Sequence, residues 1–115
     1  MDIYSIKLLT PAKRDLFETR QFIVKDSPVN AKRVIERILH EIIILATSPE
    51  AGARVQDPRL KAMGYRYLLI FDGKYIVFYV LFKKTQLVQV RRILSTRQDY
   101  LRLLKNDFKR SLKDI

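Results

Sequence analysis

Eight consecutive residues, Tyr75-Ile76-Val77-Phe78-Tyr79-Val80-Leu81-Phe82, are all aliphatic or aromatic, with Asp72-Gly73 before them and Lys83-Lys84-Thr85 after. Turn residues at both ends of so short an apolar run predict a strand, and one without a polar face is the central strand of its sheet. The neighbouring runs, Tyr65–Phe71 and Gln86–Leu94, alternate with period two and supply its partners. A three-stranded antiparallel meander follows, its first hairpin closed at Asp72-Gly73, residue types that accept positive backbone angles. One face of this sheet has to meet helices. The other must be covered too, or form a binding surface floored by some of Tyr65, Tyr67, Tyr75 and Tyr79, whose common parity suggests shared faces.

The helices come from the first half of the chain. Residues 2–9 read as a short strand, with Tyr4, Ile6 and Leu8 opposite Ile3, Ser5 and Lys7. Thr10-Pro11 then ends it, a capping hydroxyl followed by a proline suited to the first helical turn. Helix one is predicted from Pro11 to Lys25, with Ala12, Leu16, Thr19 and Ile23 as its buried stripe. Ser27-Pro28 repeats the punctuation and starts a second helix, whose stripe of Ala31, Val34, Ile35, Ile38, Leu39, Ile42, Leu45 and Ala46 is wider. A short turn between the two implies an antiparallel helical hairpin. Ser48-Pro49 closes the second helix, Gly52 lies beyond it, and residues 50–63 lack periodicity and are expected to be an irregular basic loop. After Arg97 a last helix, about residues 98–113, is predicted with Leu101, Leu104, Phe108 and Leu112 on one side and Arg102, Lys105, Lys109 and Arg110 on the other.

Charge is distributed unevenly along this plan. The net charge is +11, yet residues 1–53 hold 8 basic and 7 acidic side chains, whereas residues 54–115 hold 15 and 5. A basic face built by the C-terminal half would draw phosphates or a carboxylate-rich partner. Arginines concentrate where the last strand ends, at Arg91, Arg92 and Arg97. Side-chain alternation sends Arg91 and Arg92 to opposite faces, and Arg92, in parity with Val88, Val90 and Leu94, needs a buried partner such as Asp15 or a helix end. With no cysteine, thiolate metal sites and disulfides are excluded, no metal or cofactor is expected, and a reducing compartment suits the chain. No apolar run has the length a bilayer requires, so no membrane partner is expected, and the N-terminus shows no secretory pattern; a cytoplasmic protein is the expectation.

The order strand, helix, helix, three-stranded meander, basic exit resembles the RelE/ParE superfamily of toxins from bacterial type II toxin–antitoxin modules, over roughly residues 3–104. The resemblance rests on Thr10-Pro11-Ala12 with Asp15-Leu16, Ser48-Pro49 with Gly52, Gly64-Tyr65-Arg66, Ile76-Val77-Phe78-Tyr79-Val80, and Val90 through Tyr100. It implies an α+β fold of one domain over residues 1–115, a β-α-α-β-β-β order with the antiparallel sheet packed on the helical hairpin and a C-terminal helix beyond. It also implies a growth inhibitor held in check by a cognate antitoxin, here expected to be acidic; a homodimer or a hetero-oligomer with the antitoxin is the expected assembly. The superfamily divides into ribosome-dependent ribonucleases that cut messenger RNA and inhibitors of DNA gyrase.

On the ribonuclease pattern, the two basic positions of the meander's first strand fall on Arg66 and Leu68, the arginine opening its central strand falls on Tyr75, and the arginine after its last strand is kept as Arg97. Ser95 stands where some members carry a histidine. The one histidine, His40, sits mid-helix and reads as a surface or packing residue, and no glutamate follows Glu50. Were the chain a ribonuclease, Arg66, Tyr75, Arg97 and Tyr100 would be the catalytic candidates, none of them naturally tuned for proton transfer near neutral pH. Arg66, Arg91, Arg97, Arg102 and Lys105 are the candidates for contact with a target or antitoxin. The missing basic positions favour the ParE-like, gyrase-inhibiting branch; a RelE-like endoribonuclease and an inactive toxin fold that only binds an antitoxin are the alternatives.

Overall fold

The computed structural model describes residues 3–113, with side chains through Asp107. Phe108, Leu112, Lys109 and Arg110, assigned above to the two sides of the last helix, thus lie outside the described side chains. Chain order is β1 (Ser5–Leu8), α1 (Thr10–Val24), α2 (Pro28–Ile43) with a 3-10 turn at Ile44–Ala46, β2 (Ala53–Arg54), α3 (Pro58–Ala62), β3 (Tyr65–Ile70), β4 (Tyr75–Phe82), β5 (Leu87–Ser95) and α4 (Tyr100–Lys113). The five strands form one sheet in the order β1-β5-β4-β3-β2, which places β4 at its centre. The meander β3-β4-β5 is antiparallel as expected, but β1 joins it in parallel beside β5, from Ser5↔Leu87 to Leu8↔Val90. The sheet is therefore mixed, because α1 and α2 carry the chain from β1 across one face before the meander begins.

Both faces of β4 are covered. On one, Val77 and Tyr79 join Val88, Val90 and Ile93 beneath Ala12, Val34, Ile38, Ile42 and Leu45 of the helical hairpin. On the other, Ile76, Phe78 and Val80 meet Tyr65 and Leu94 beneath Val55, Leu60 of α3 and Leu104 of α4. Each fully buried aliphatic or aromatic side chain contributes about 1.5–3 kcal/mol, so the second layer is a real core and not an open surface floored by tyrosine. The four tyrosines divide between the faces, Tyr65 and Tyr67 on one, Tyr75 and Tyr79 on the other. Antiparallel register explains this: Tyr65 pairs with Val80, so odd positions of β3 share a face with even positions of β4.

Local details follow from residue chemistry. Ser27 caps α2, its Oγ accepting from the Asn30 amide at 3.1 Å. Thr10 does not cap α1. Leu9 holds the extended cap position because its N–H still donates to Val90 of β5, which pushes Thr10 into the first turn beside Pro11. The stretch 50–63 is not irregular throughout: β2 pairs with β3, and Asp57-Pro58 starts α3, the carboxylate accepting from the Arg59 and Leu60 amides. In the β3–β4 hairpin Phe71 and Asp72 as well as Gly73 take positive φ. Phe71 is held there from α2, by a Glu41 carboxylate on its N–H and by Arg37 lying 4.2 Å from its ring centre.

Candidate functional site

The expected alternation along β5 is broken at Arg91. Phe78 pairs with Arg92 and Tyr79 with Val90, so Arg91 has no partner in the ladder and the strand carries a β-bulge. The extra residue reverses parity. Val88 and Val90 face the helical hairpin, while Arg92 and Leu94 pair with Phe78 and Ile76 of the opposite core. Arg91 and Arg92 thus do not point to opposite faces: Arg91 lies half-buried over the Tyr65 ring, 5.6 Å from its centre, on the same side.

Arg92 has the partner expected of it, and a second. Its Nε and Nη2 donate to the two oxygens of Asp15 at 2.8 and 2.9 Å, and its Nη1 donates to Asp107 of α4 at 2.7 Å. Asp15 also accepts from the Ile93 amide at 2.9 Å. Beyond Leu8 no strand among the described residues covers this edge of β5, and the carboxylate does there what a neighbouring strand would do. Asp15 is the buried charged residue among the described residues, and Arg92 is held protonated well above its ordinary range, chiefly by the Asp15 hydrogen bonds. One guanidinium therefore ties α1, β5 and α4 together.

Past this pin the exit of β5 is fixed by further hydrogen bonds. The Ser95 amide donates to the Gln98 side chain, Thr96 donates through its N–H to Lys74 and through its hydroxyl to Gly73, and the Arg97 amide donates to Ser95 Oγ. A groove of about 650 Å³ opens between this exit and α1, with Tyr75, Arg97 and Lys74 on one side and Glu18 and Phe22 on the other. Phe22 is 73% exposed, far more than a core aromatic. Tyr75 packs edge-on to Phe71; burial raises its phenol pKa against the opposing effect of Arg97, so it is protonated at neutral pH. Arg97 forms no ion pair among the described residues, since Asp99 turns to Arg102 at 3.7 Å. The groove thus offers cations, neutral donors, an aromatic wall and the Glu18 carboxylate.

The other predicted residues lie elsewhere. Arg66 pairs with Tyr79, four positions along β4 from Tyr75, or about 13 Å at strand rise. It donates from Nη1 to the Gly52 carbonyl at 2.9 Å. Tyr100 packs its ring on Phe78, 5.7 Å between centres, in the second core. Lys105 pairs with Asp57 at 3.1 Å, Arg102 is exposed beside Asp99, and His40 is exposed on α2. Glu18, Phe22 and Lys74, which complete the groove, could not be picked out from the sequence: an exposed phenylalanine on an amphipathic helix is visible as a break in the polar face, but its neighbours come from distant segments.

A helical hairpin across a mixed sheet, with β1 parallel to β5 and a basic strand exit, defines the fold of the RelE/ParE toxins. Solved structures agree: the chromosomal ParDE toxin–antitoxin system of Pseudomonas aeruginosa is similar at a TM-score of 0.65 and 19% identity, over 81% of this chain and 96% of that one. The RelBE2 toxin–antitoxin complex of Mycobacterium tuberculosis is similar at a TM-score of 0.56 and 21% identity, over 85% of this chain and 97% of that one. No curated protein matches in sequence. The family model for the ParE toxin of the type II toxin–antitoxin system parDE matches residues 6–100, and the chain belongs to that family. Among the described residues no helix is long and apolar enough to cross a membrane.

Proposed function

We propose that this toxin arrests growth by binding DNA gyrase rather than by cutting messenger RNA, and that an acidic antitoxin restrains it in the cytoplasm. The observation that carries the reading is the dispersal of the ribonuclease candidates: Tyr75 and Arg97 share the groove, Arg66 sits about 13 Å away along the sheet, and Tyr100 is packed into the second core. Cleavage through a 2′-hydroxyl needs a base, an acid and cations converging on one phosphate. Here the groove's phenol stays protonated, no imidazole lines it, and of its two carboxylates Asp15 is taken by Arg92, which leaves Glu18 alone. What the groove does offer is Arg97 together with an exposed Phe22, a charged and an aromatic anchor of the kind that dominate protein interfaces. The matching of the ParE family model supports the same branch.

The antitoxin is supported by the two structural neighbours, both parts of toxin–antitoxin systems, and its acidity by the surplus positive charge of this chain. Co-expression with the adjacent small reading frame tests that part: a stable co-purifying complex is expected, and a neighbouring product that is neither acidic nor retained would contradict it. For the mechanism, primer extension on ribosome-bound messenger RNA incubated with the purified toxin is expected to show no cuts. Site-specific cuts abolished by Arg97→Ala would overturn the reading.

A further inference from the structure

A second cavity, of about 240 Å³, lies at the far end of the sheet from the groove, and four cations reach it from four segments: Arg54 of β2, Lys61 of α3, Arg66 of β3 and Lys83 of the β4–β5 turn. Two of them oppose each other directly. Arg54 and Arg66 are register partners in the β2–β3 ladder, so their side chains leave the sheet on the same face. Like charges so placed destabilise a strand pair unless an anion lies between them. Among the described residues one carboxylate pairs with any of the four. Glu50 pairs with Lys83 at 2.8 Å, and its pKa is held low by that hydrogen bond and by the charges of Lys83, Arg66 and Arg54. Arg54 and Lys61 have no acidic partner among the described residues, and Arg66 is aimed by its bond to the Gly52 carbonyl. Arg59 and Lys84, close in sequence to Lys61 and Lys83, are exposed as well.

We infer that this cleft, through Arg54, Lys61, Arg66 and Lys83, is a binding site for the phosphate backbone of a nucleic acid, with Glu50 as an internal anion that occupies part of it until the ligand arrives. Guanidinium forks match phosphate oxygens in pairs, and charge repeated past one anion's width suits a ligand that carries charge at every step. An acidic peptide would bring apolar side chains as well, and the cavity offers them only half-buried Leu81 and the edge of Tyr65, which is 6% exposed. The site is separate from the groove and does not depend on gyrase being the target.

Fluorescence anisotropy with a labelled DNA duplex and, separately, a labelled single-stranded RNA tests this on the full chain. The double variant Arg54→Ala/Lys61→Ala is expected to bind about tenfold more weakly or worse, with a salt slope smaller by about one for each phosphate-facing cation removed. The charge-matched Lys25→Ala/Arg33→Ala, with both positions exposed on the helical hairpin, is expected to change binding by less than about threefold. Glu50→Gln is expected to tighten binding, a gain that poor folding cannot imitate. Equal weakening in the two double variants would reduce the effect to net charge and overturn the site, as would absence of binding to both nucleic acids. Unchanged or weaker binding by Glu50→Gln, or displacement of the oligonucleotide by a polyglutamate peptide at equal charge concentration, would overturn it as well.

Discussion

Truncating Asp15 to alanine should cost more stability than any other single polar substitution in this chain, and the size follows from what it leaves behind. Its side chain is 6% exposed and that of Arg92 16%, so removing the carboxylate strands a guanidinium out of water with only Asp107 to face. Breaking one partner of a buried ion pair costs about 3–5 kcal/mol. The Ile93 amide also loses its acceptor at the uncovered edge of β5, so the upper half of that range applies. With an unfolding entropy of about 2.1 cal/mol/K per residue, 115 residues give roughly 0.24 kcal/mol/K, and the upper half of the range, about 4–5 kcal/mol, should lower the melting temperature by roughly 17–21 °C. A thermal denaturation cycle with Asp15→Ala, Arg92→Ala and the double variant checks the assignment: the double variant should be destabilised by much less than the two single effects added together. A destabilisation under about 1 kcal/mol for Asp15→Ala, or additive single effects, would show that this carboxylate does not hold α1 to β5.

Two further substitutions probe other supports. A Cβ at Gly52 would lie 2.5 Å from the Tyr67 carbonyl oxygen and 2.6 Å from the Tyr79 hydroxyl, so Gly52→Ala should destabilise by about 1–3 kcal/mol; an unchanged urea midpoint would speak against the close approach. Because the Gly52 N–H donates to Tyr79 and its carbonyl accepts from Arg66, the same variant should also loosen Arg66. Asp57 gives a pH dependence of known sign. The Lys105 hydrogen bond holds its carboxyl below the ordinary range, so the unfolded chain takes up the proton first. Its contribution is complete above a pH of about 4, and is lost as pH falls through the lower folded value. Asp57→Asn should therefore flatten the decline of melting temperature on acidification, and an unaltered decline would rule out the pairing as its source.

The sequence was most legible where one element repeats a pattern over many residues. The wide apolar stripe of α2 and the two-faced run of β4 predicted the hairpin and the central strand, but left the second sheet face either covered or a binding surface; a buried Arg92 asked for a partner, for which Asp15 and a helix end were both open. Short elements were not legible. β2 has two residues and α3 five, too few for periodicity, although Asp57-Pro58 carries the same cap-and-proline signal that marked α2 at Ser27-Pro28. The bulge at Arg91 was invisible for a different reason: one inserted residue reverses every later side chain, and it leaves no trace in composition. The groove and the cationic cleft are likewise assembled from segments distant in sequence. Arg97 could be singled out from its place at a strand end, whereas Phe22 and the Arg54–Arg66 opposition depend on register.

If the toxin acts by binding through the β5 exit groove, its effect on gyrase must depend on the charge at Arg97. Gyrase-catalysed supercoiling of relaxed plasmid, titrated with the purified toxin and with Arg97→Glu in parallel, reads that dependence. Inhibition that saturates with wild-type toxin and disappears on charge reversal at Arg97 is the expected outcome. Unaltered supercoiling at saturating wild-type protein would rule out gyrase as the target, and equal inhibition by both proteins would rule out the groove as the surface that binds it.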